Sequence, residues 1–116
     1  MSKKMSKNTM FTLIREWAEE RGIYHSGDVK TQMLKLTEEK GELAKAVLKN
    51  DKAEFEDAIG DMFVVLVNVA ELGNKYFYTK GDRITMEKCI FGAWEEIQNR
   101  KGEMINGTFV KAQDNE

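Results

Sequence analysis

The sequence predicts an all-α protein, a four-helix bundle, and three observations support this fold class. Proline is absent, the nine glycines mostly separate one segment from the next, and apolar residues recur at spacings of three and four. With 116 residues, 41% of them hydrophobic and 33% charged, the chain suits a single soluble domain over residues 1–116. Four helices with short connections form a compact bundle or half of an intertwined one.

Charge and residue content exclude several classes of function. Lys and Arg number 18 against 20 Asp and Glu, a net charge of −2, which argues against a nucleic-acid partner that covers phosphates with a basic face. There is no long uncharged apolar run and no secretory leader pattern, so we expect a cytoplasmic protein without a membrane partner. The lone Cys89 and the single His25 exclude a disulfide and a histidine-based metal cluster.

The N-terminal region predicts a tail and one helix. Residues 1–8 are polar and basic, and we expect a flexible tail there. The first helix is predicted over Met10–Arg21, with Thr9 as its N-cap and Gly22 as its C-terminal stop. The following five residues, 23–27, are interpreted as a connection.

The second helix is predicted over Val29–Lys49, capped by Asp28. One side of it is interpreted as core-facing and carries Val29, Met33, Leu36, Leu43 and Val47. A different side, within an arc of roughly 60°, carries Lys35, Glu39, Glu42 and Ala46, with Glu38 at its margin.

The third helix is predicted over Lys52–Leu72. Asp51, followed three residues later by a glutamate, resembles a capping box, and the pair Gly73-Asn74 is interpreted as the stop. The second half is apolar nearly all round, which is typical of the centre of a bundle or of a subunit interface. A β-strand over Phe63–Val69 is the alternative, since Val favours strands; the capping pattern and the segment's length favour a helix.

The C-terminal region predicts a fourth helix and a hairpin. Residues 76–78 (Tyr-Phe-Tyr) fall in a connection, the helix runs over Thr85–Lys101, and Gly102 ends it. An Asn-Gly pair between the apolar residues of Met104–Val110 is a strong signal for a two-residue β-hairpin turn. Residues 103–116 are therefore interpreted as a C-terminal extension.

The third helix carries carboxylates in an apolar context. Asp57, Asp61 and Asn68 follow one another at spacings of four and seven on one stripe, which Glu54 begins. Burial of an unpaired carboxylate destabilises the fold by several kcal/mol, even after the protein relaxes around it. Two of them one turn apart on a central helix therefore indicate a cation that offsets their charge.

The second helix supplies the remaining donors, Glu39 and Glu42, with Glu38 beside them. If the two helices pack antiparallel, four or five carboxylates and Lys35 come together. Carboxylate sites without histidine select hard cations, here Mg²⁺ with Mn²⁺ as a possible substitute. Such a cation keeps several waters and binds its substrate through phosphate oxygens, which points to phosphate chemistry.

Simpler interpretations remain open for these residues. For Glu38, Glu39 and Glu42 taken alone, a solvated helix face is favoured, and Lys35 is most simply an i,i+4 partner of Glu39. The alternative for the two aspartates of the third helix is a salt bridge to a Lys or Arg of a neighbouring helix. Asn68 is more often a buried hydrogen-bonding group than a ligand.

Aromatic residues have similarly plain interpretations. Trp17 and Trp94 are expected in the core. Tyr76, Phe77 and Tyr78 could stack on a base, but packing or a subunit interface is favoured for them.

Two acidic motifs and the C-terminal segment of this sequence resemble those of a known family. The segment Glu38-Glu39-Lys40-Gly41-Glu42-Leu43-Ala44 matches the EExxE motif of the MazG-like all-α nucleoside triphosphate pyrophosphohydrolases. Asp57-Ala-Ile-Gly-Asp61 resembles that family's second acidic motif, and Asn99–Lys111 resembles the C-terminal segment of short MazG-like proteins often found in phages. The second motif is usually ExxD, whereas this sequence has Ala58 three residues before Asp61.

The resemblance implies the all-α NTP pyrophosphatase fold and a metal-dependent enzyme. The expected reaction is hydrolysis of a (deoxy)nucleoside triphosphate between the α- and β-phosphates, giving the monophosphate and pyrophosphate, in house-cleaning of the nucleotide pool. The sequence leaves open which base and which sugar the substrate carries, and whether the substrate is an ordinary or a damaged nucleotide. The resemblance also implies assembly as a homodimer or homotetramer.

The resemblance and the physical argument together assign roles to individual residues. The metal ligands are Glu39, Glu42, Asp57 and Asp61. Glu38 and Glu39 form the catalytic pair, in which Glu38 orients or deprotonates the attacking water. The substrate-binding residues are Lys35, Asn68, Arg100, Lys101 and Lys111. A non-catalytic nucleotide- or Mg²⁺-binding regulatory module of the same fold is the alternative, and a helical structural protein is a third hypothesis.

Overall fold

The structure, a computed structural model, describes residues 7–112, with side chains from Thr9 onward. The described chain consists of α-helices followed by one small antiparallel sheet, so the predicted all-α class is confirmed. The elements are α1 (Lys7–Glu20), α2 (Ile23–Ser26), α3 (Val29–Leu48), α4 (Lys52–Tyr76), α5 (Met86–Ile97), β1 (Gly102–Ile105) and β2 (Thr108–Lys111). None of the helices within residues 7–112 has the length and apolar character that crossing a bilayer requires.

The first helix starts earlier than predicted. It begins at Lys7, so Thr9 lies inside α1 and the prediction that it caps the helix is wrong. No Pro or Gly precedes Thr9, and nothing local breaks the helix there. Gly22 stops the helix as predicted, with a φ of 74° that a side chain would disfavour. The predicted tail is thus part of α1 at Lys7 and Asn8, and its residues 1–6 lie outside the described residues.

The predicted connection over residues 23–27 contains a single helical turn, α2. Lys75 of α4 donates hydrogen bonds from its Nζ to the carbonyl oxygens of Tyr24, His25 and Gly27, at 3.4, 3.3 and 3.5 Å. A cation at the C-terminal end of a helical turn compensates its unpaired carbonyl groups. This contact with a distant part of the chain explains why local sequence did not indicate the turn.

Helices α3 and α4 form a helical pair joined by residues 49–51. The Asp28 carboxylate accepts a hydrogen bond from the backbone N–H of Thr31 at 2.9 Å, which confirms it as the N-cap and lowers its pKa. Asp51 caps α4 in the same way, through the N–H of Glu54 at 3.1 Å. Residues 63–69 are helical, so the strand alternative is wrong.

Helix α4 continues past the predicted stop at Gly73-Asn74 to Tyr76. The Asn74 side chain is buried and bonds to the loop that leads into α5: its Oδ1 accepts from the N–H of Ile84 at 2.6 Å, and its Nδ2 donates to the Ile84 carbonyl at 2.8 Å. A Cβ added to Gly73 would lie 3.4 Å from the Ile84 side chain. The glycine and the asparagine therefore serve this close approach rather than a helix end.

The fourth predicted helix is shorter than expected. It begins after its Thr85 cap, but it ends at Ile97 rather than Lys101, and Gly102 belongs to β1. The β-hairpin is confirmed, with Gly102 paired to Lys111 and Ile105 to Thr108. Positive φ angles at both turn residues, 50° and 83°, match the Asn-Gly turn that the sequence predicted. Of the predicted C-terminal extension, residues 113–116 lie outside the described residues.

The apolar core is small and is centred on the second half of α4. Its buried hydrophobic residues are Phe11, Ala18, Ala46, Ala58, Val65, Val67 and Leu72. The radius of gyration is 17.2 Å, whereas a compact chain of this length has about 13 Å. The described chain is thus more open than a self-contained globular domain.

The predicted core is wrong at both tryptophans and at two of the five residues given for α3. Trp17 and Trp94 are 44% and 54% exposed, and on α3 Met33 and Val47 are 51% and 59% exposed. The other three residues of the predicted side, Val29, Leu36 and Leu43, are half-buried. The packed side of α3 therefore includes them and extends to the buried Ala46, away from Met33 and Val47.

An ion pair connects the first and the last helix. The Arg15 guanidinium donates two hydrogen bonds to the Glu87 carboxylate, at 2.8 and 2.6 Å. This bidentate geometry is the strong form of the pair. It raises the pKa of Arg15 and lowers that of Glu87.

We expect Asn74→Ala to destabilise the fold by about 2–4 kcal/mol, because it leaves the N–H and the carbonyl of Ile84 without partners. The free energy of unfolding is measured in urea at one fixed chain concentration. Asn99→Ala, at an exposed position after α5, is the matched control and is expected to change stability by less than about 0.5 kcal/mol. Equal stability of the two variants would contradict the role given to Asn74.

Candidate functional site

The predicted acidic residues lie on the helical pair α3–α4. Glu39 belongs to the packed side of α3, and its side chain is 16% exposed. Glu38 and Glu42 on α3, and Asp57 and Asp61 on α4, are exposed. The helical pair therefore presents both acidic motifs, one on each helix, as the sequence predicted.

The premise that Asp57 and Asp61 are buried is wrong for the described chain. Tyr24 of α2 and Arg83 before α5 contact Asn68 and Glu71, in the second half of α4. In the first half of α4, residues 52–63, Ala58 is the only buried residue. The acidic face of this half is consequently open to solvent.

The carboxylates do not converge in one chain. Among residues 7–112, no three Asp, Glu, His or Cys side chains lie close enough together to hold one metal ion. Because most of these side chains are exposed, their rotamers are free to change at little cost.

The charges of the two motifs are weakly compensated. Lys35 lies 4.0 Å from Glu39, which confirms the predicted i,i+4 pair, and Lys45 lies 3.9 Å from Glu42. Both lysine side chains are more than half exposed, and such pairs contribute little stability. Asp57 and Asp61 have no ion pair with any residue from 9 to 112, so the alternative of a salt bridge to a neighbouring helix is not found there.

The departure from the family pattern has a structural counterpart. Ala58, at the position where the family usually has a carboxylate, is 3% exposed and packs within the helical pair. Its neighbour Asp57 is exposed. Moving the carboxylate from position 58 to position 57 thus moves it from the α3–α4 contact to the solvent-facing side of the same helix.

Asn68 lies further along the stripe of α4 that carries the aspartates, at the buried end. Its Oδ1 accepts a hydrogen bond from the Tyr24 hydroxyl at 2.7 Å, which confirms the interpretation as a buried hydrogen-bonding group. Burial raises the pKa of Tyr24 to about 12. A groove of about 420 Å³, lined by Tyr24, Glu71 and residues of α1, opens beside them.

Two residues of this region were missed by the sequence analysis. Glu71, which pairs with Arg83, follows Asn68 by three residues on the stripe begun by Glu54, and that spacing is a signal that could have identified it. Tyr24 has no such signal, because its partner Asn68 is 44 residues away in the sequence.

The predicted phosphate-binding cations are not near the acidic motifs. Arg100 and Lys101 lie in the connection between α5 and β1, and Lys111 ends β2. All three are exposed, and within residues 9–112 the β-hairpin packs against none of the helices. The described chain therefore leaves these cations apart from Lys35 and the carboxylates.

The fold and the site define a class: an all-α protein whose central helical pair presents two carboxylate motifs. The comparisons identify the family. The model of the MazG nucleotide pyrophosphohydrolase domain matches residues 28–104, which are 77 of the 116 residues. The chain belongs to this family, as its motifs predicted. The matched region contains both acidic motifs.

A phage protein is also similar to this chain. An uncharacterized 18.2 kDa protein in the rep-hol intergenic region of Haemophilus phage HP1 (strain HP1c1) is 43% identical over 58 residues. These residues are 50% of this chain and 36% of the phage protein, so the chain spans little more than a third of that relative's length. No solved structure matches the chain.

We expect the raised pKa of Tyr24 to make stability depend on pH in alkaline solution. The phenol loses its proton near pH 10 in the unfolded chain and near pH 12 in the folded one. Its contribution is complete below about pH 10 and is lost between about pH 10 and 12, where only the unfolded chain is deprotonated.

The measurement compares urea unfolding of the wild type and Tyr24→Phe at pH 9 and pH 11. At pH 9 the variant is expected to be less stable by about 1–2 kcal/mol, because Asn68 loses its partner. The difference should shrink at pH 11. A difference that stays constant over this range would contradict the raised pKa.

Proposed function

We propose that this chain hydrolyses nucleoside triphosphates between the α- and β-phosphates, releasing the monophosphate and pyrophosphate, as a house-cleaning enzyme of the nucleotide pool. The observation that carries the proposal is the family match over residues 28–104, which includes both acidic motifs of the helical pair. The open acidic face of α4 supports it, because a triphosphate with its counter-ion needs access from solvent.

The donor set fits a hard divalent cation. Four carboxylates, those of Glu39, Glu42, Asp57 and Asp61, are the residues that would hold Mg²⁺, or Mn²⁺ in its place. Asp57 and Asp61 lie one helical turn apart on α4, where like charges repel each other and a cation would remove the repulsion. When bound, the cation supplies charge neutralisation for the phosphates and a bound water of lowered pKa.

The chain's own residues would bind the substrate and move the proton. Glu38, the exposed first residue of the EExxE motif, would accept a proton from the attacking water through one hydrogen bond. Lys35 is half exposed and lies on the same helix, so its ammonium group can contact a phosphate oxygen. Asn68 is the predicted polar contact at the buried end of the α4 stripe.

Exposed apolar residues support assembly of the chain into a homodimer or homotetramer. The helical pair alone exposes Leu34, Val47, Leu48, Ile59 and Phe63 at 67%, 59%, 85%, 38% and 44%. Apolar surface on this scale is typical of a protein–protein interface. Burial against further copies would complete the bundle that the described chain leaves open.

The first experiment incubates the chain with each canonical dNTP and NTP in Mg²⁺ and Mn²⁺ and resolves all products. Monophosphate with pyrophosphate is the expected result. Glu39→Gln and Asp61→Asn are each expected to lower turnover by about 100-fold or more, while the far-UV circular dichroism stays helical. The control Glu95→Gln, exposed on α5, should retain activity. Release of nucleoside diphosphate and phosphate, or full activity in both Glu39→Gln and Asp61→Asn, would contradict the proposal.

The buried Ala58 favours a second candidate function, a regulatory module that binds nucleotide and Mg²⁺ without hydrolysing it. A missing carboxylate inside the helical pair changes the ligand set that the family's second motif usually offers. Nucleotide binding by calorimetry, with no product after long incubation in Mg²⁺ or Mn²⁺, would support this module over the enzyme.

Metal binding itself is tested by thermal unfolding at fixed chain concentration. A cation that binds only the native state must raise the melting temperature. At ten times its dissociation constant, the cation adds about 1.4 kcal/mol to the free energy of unfolding. We expect this rise with millimolar Mg²⁺ or Mn²⁺ in the wild type, and a smaller one in Asp61→Asn. No rise in the wild type would favour the third hypothesis, a structural helical protein.

A further inference from the structure

The C-terminal arm, residues 98–112, contains a β-hairpin that has no packing partner within residues 9–112. Its apolar side chains Met104, Ile105, Phe109 and Val110 are 67%, 43%, 48% and 43% exposed. An isolated two-stranded hairpin is marginally stable in water. A hairpin of this composition is expected to be stabilised by a surface that covers it.

Both faces of the hairpin carry apolar side chains. Met104 pairs with Phe109 on one face, and Val110 and Ile105 lie on the other. The start of β1 is also tightly built, because a Cβ at Gly102 would lie 2.2 Å from the Val110 carbonyl oxygen. The strands are thus specifically formed, and their shape suits insertion between two surfaces.

The base of the arm is cationic. Arg100 and Lys101 precede β1, and Lys111 lies opposite Gly102 at the open end of the hairpin, where the Ala112 N–H donates to the Lys101 carbonyl oxygen at 2.7 Å. None of these three cations has an ion pair with a residue from 9 to 112. Three positive charges without partners therefore lie together at one end of the arm.

We propose that the C-terminal arm docks on the α3–α4 helical pair of a second copy of this chain and brings its cations to that copy's acidic motifs. The helical pair can bind both parts of the arm. Its exposed apolar side chains, such as Leu34 and Phe63, can cover the hairpin, and the exposed carboxylates of Asp57 and Asp61 can pair with the cations. The cations of the arm would contact the substrate's phosphates there, a part of the inference that rests on the proposed function.

A second copy is favoured over the chain's own helices by the position of α5. Within residues 9–112, α5 packs against α1 and α4 but not against α3. Residues 98–101 separate α5 from β1 and reach at most about 14 Å. In the described chain the arm stands clear of its own helical pair, while an identical pair on another copy is free to receive it.

The docking is tested without any substrate, by sedimentation equilibrium of the full chain. Met104→Thr with Phe109→Thr removes the apolar contact of one face and keeps strand propensity. The dimer dissociation constant is expected to rise by about tenfold or more, equivalent to 1.4 kcal/mol. Glu95→Gln, a change at an exposed position of α5 outside the arm, is the control and should leave it unchanged.

A second pair, Ile105→Thr with Val110→Thr, tests the other face should the first fail to fold, as judged by circular dichroism. Added salt should weaken the dimer, because charges of opposite sign meet in it. A monomeric wild type, or arm variants that assemble as tightly as the control, would overturn the docking. This result is independent of turnover, so it stands even if no nucleotide is hydrolysed.

The contribution to the partner's site is tested by mixing two inactive variants. One, Glu39→Gln, lacks a carboxylate; the other replaces Arg100, Lys101 and Lys111 by Ala and is expected to lose about tenfold or more of its activity. A mixture that exchanges subunits should recover about a quarter of wild-type activity, since half of the dimers contain one intact composite site. No recovery, with subunit exchange shown by mass, would overturn action across the dimer.

Discussion

The second half of α4 has to be shielded from water, and the arrangement of the other helices follows from this requirement. Val65, Val67 and Leu72 are nearly fully buried, and the short elements around them contribute few large side chains. Polar groups buried with them must find partners. Asn68 and Asn74 do so with α2 and with the loop before α5, and these hydrogen bonds position both elements.

Shielding one end of α4 leaves its other end open. The helices α1, α2 and α5 are too short to cover a helix of 25 residues together with its partner α3. The first half of α4 therefore exposes Asp57 and Asp61. The proposed activity on a charged triphosphate would use this division, because stability comes from one end of α4 and access to solvent from the other.

The same arrangement accounts for the large apolar side chains that the described chain leaves exposed. The α3–α4 contact is built from small side chains such as Ala46 and Ala58, which lets the two helices approach closely but buries little apolar area. Larger side chains remain on the outer surfaces of the pair. A larger domain buries such side chains within one chain. In this protein their burial would instead stabilise contacts between chains.

The arm and the acidic motifs are related by charge and by geometry. The three cations of the arm and the carboxylates of Asp57 and Asp61 are exposed, have no ion pair with residues 9–112, and carry opposite charges. The turn at Asn106-Gly107 and the close approach at Gly102 hold the hairpin in shape by local interactions. A preformed arm loses less conformational entropy on docking than a disordered segment would.

The sequence by itself determined the helices of the central pair, the Asp28 and Asp51 caps, the β-hairpin turn and the family. These features depend on residues close together in the chain, where spacing and side-chain chemistry are sufficient. The placement of Glu39 and the aspartates on two adjacent helices also followed from periodicity.

Only the tertiary structure decided which surfaces are buried. Periodicity finds the apolar side of a helix but not the neighbour that covers it, so Trp17 and Val47 were expected in a core and are exposed. The continuation of α4 through Gly73 and the bond between Tyr24 and Asn68 depend on contacts between distant residues. Burial and long-range hydrogen bonding are properties of the packed chain, and local sequence does not specify them.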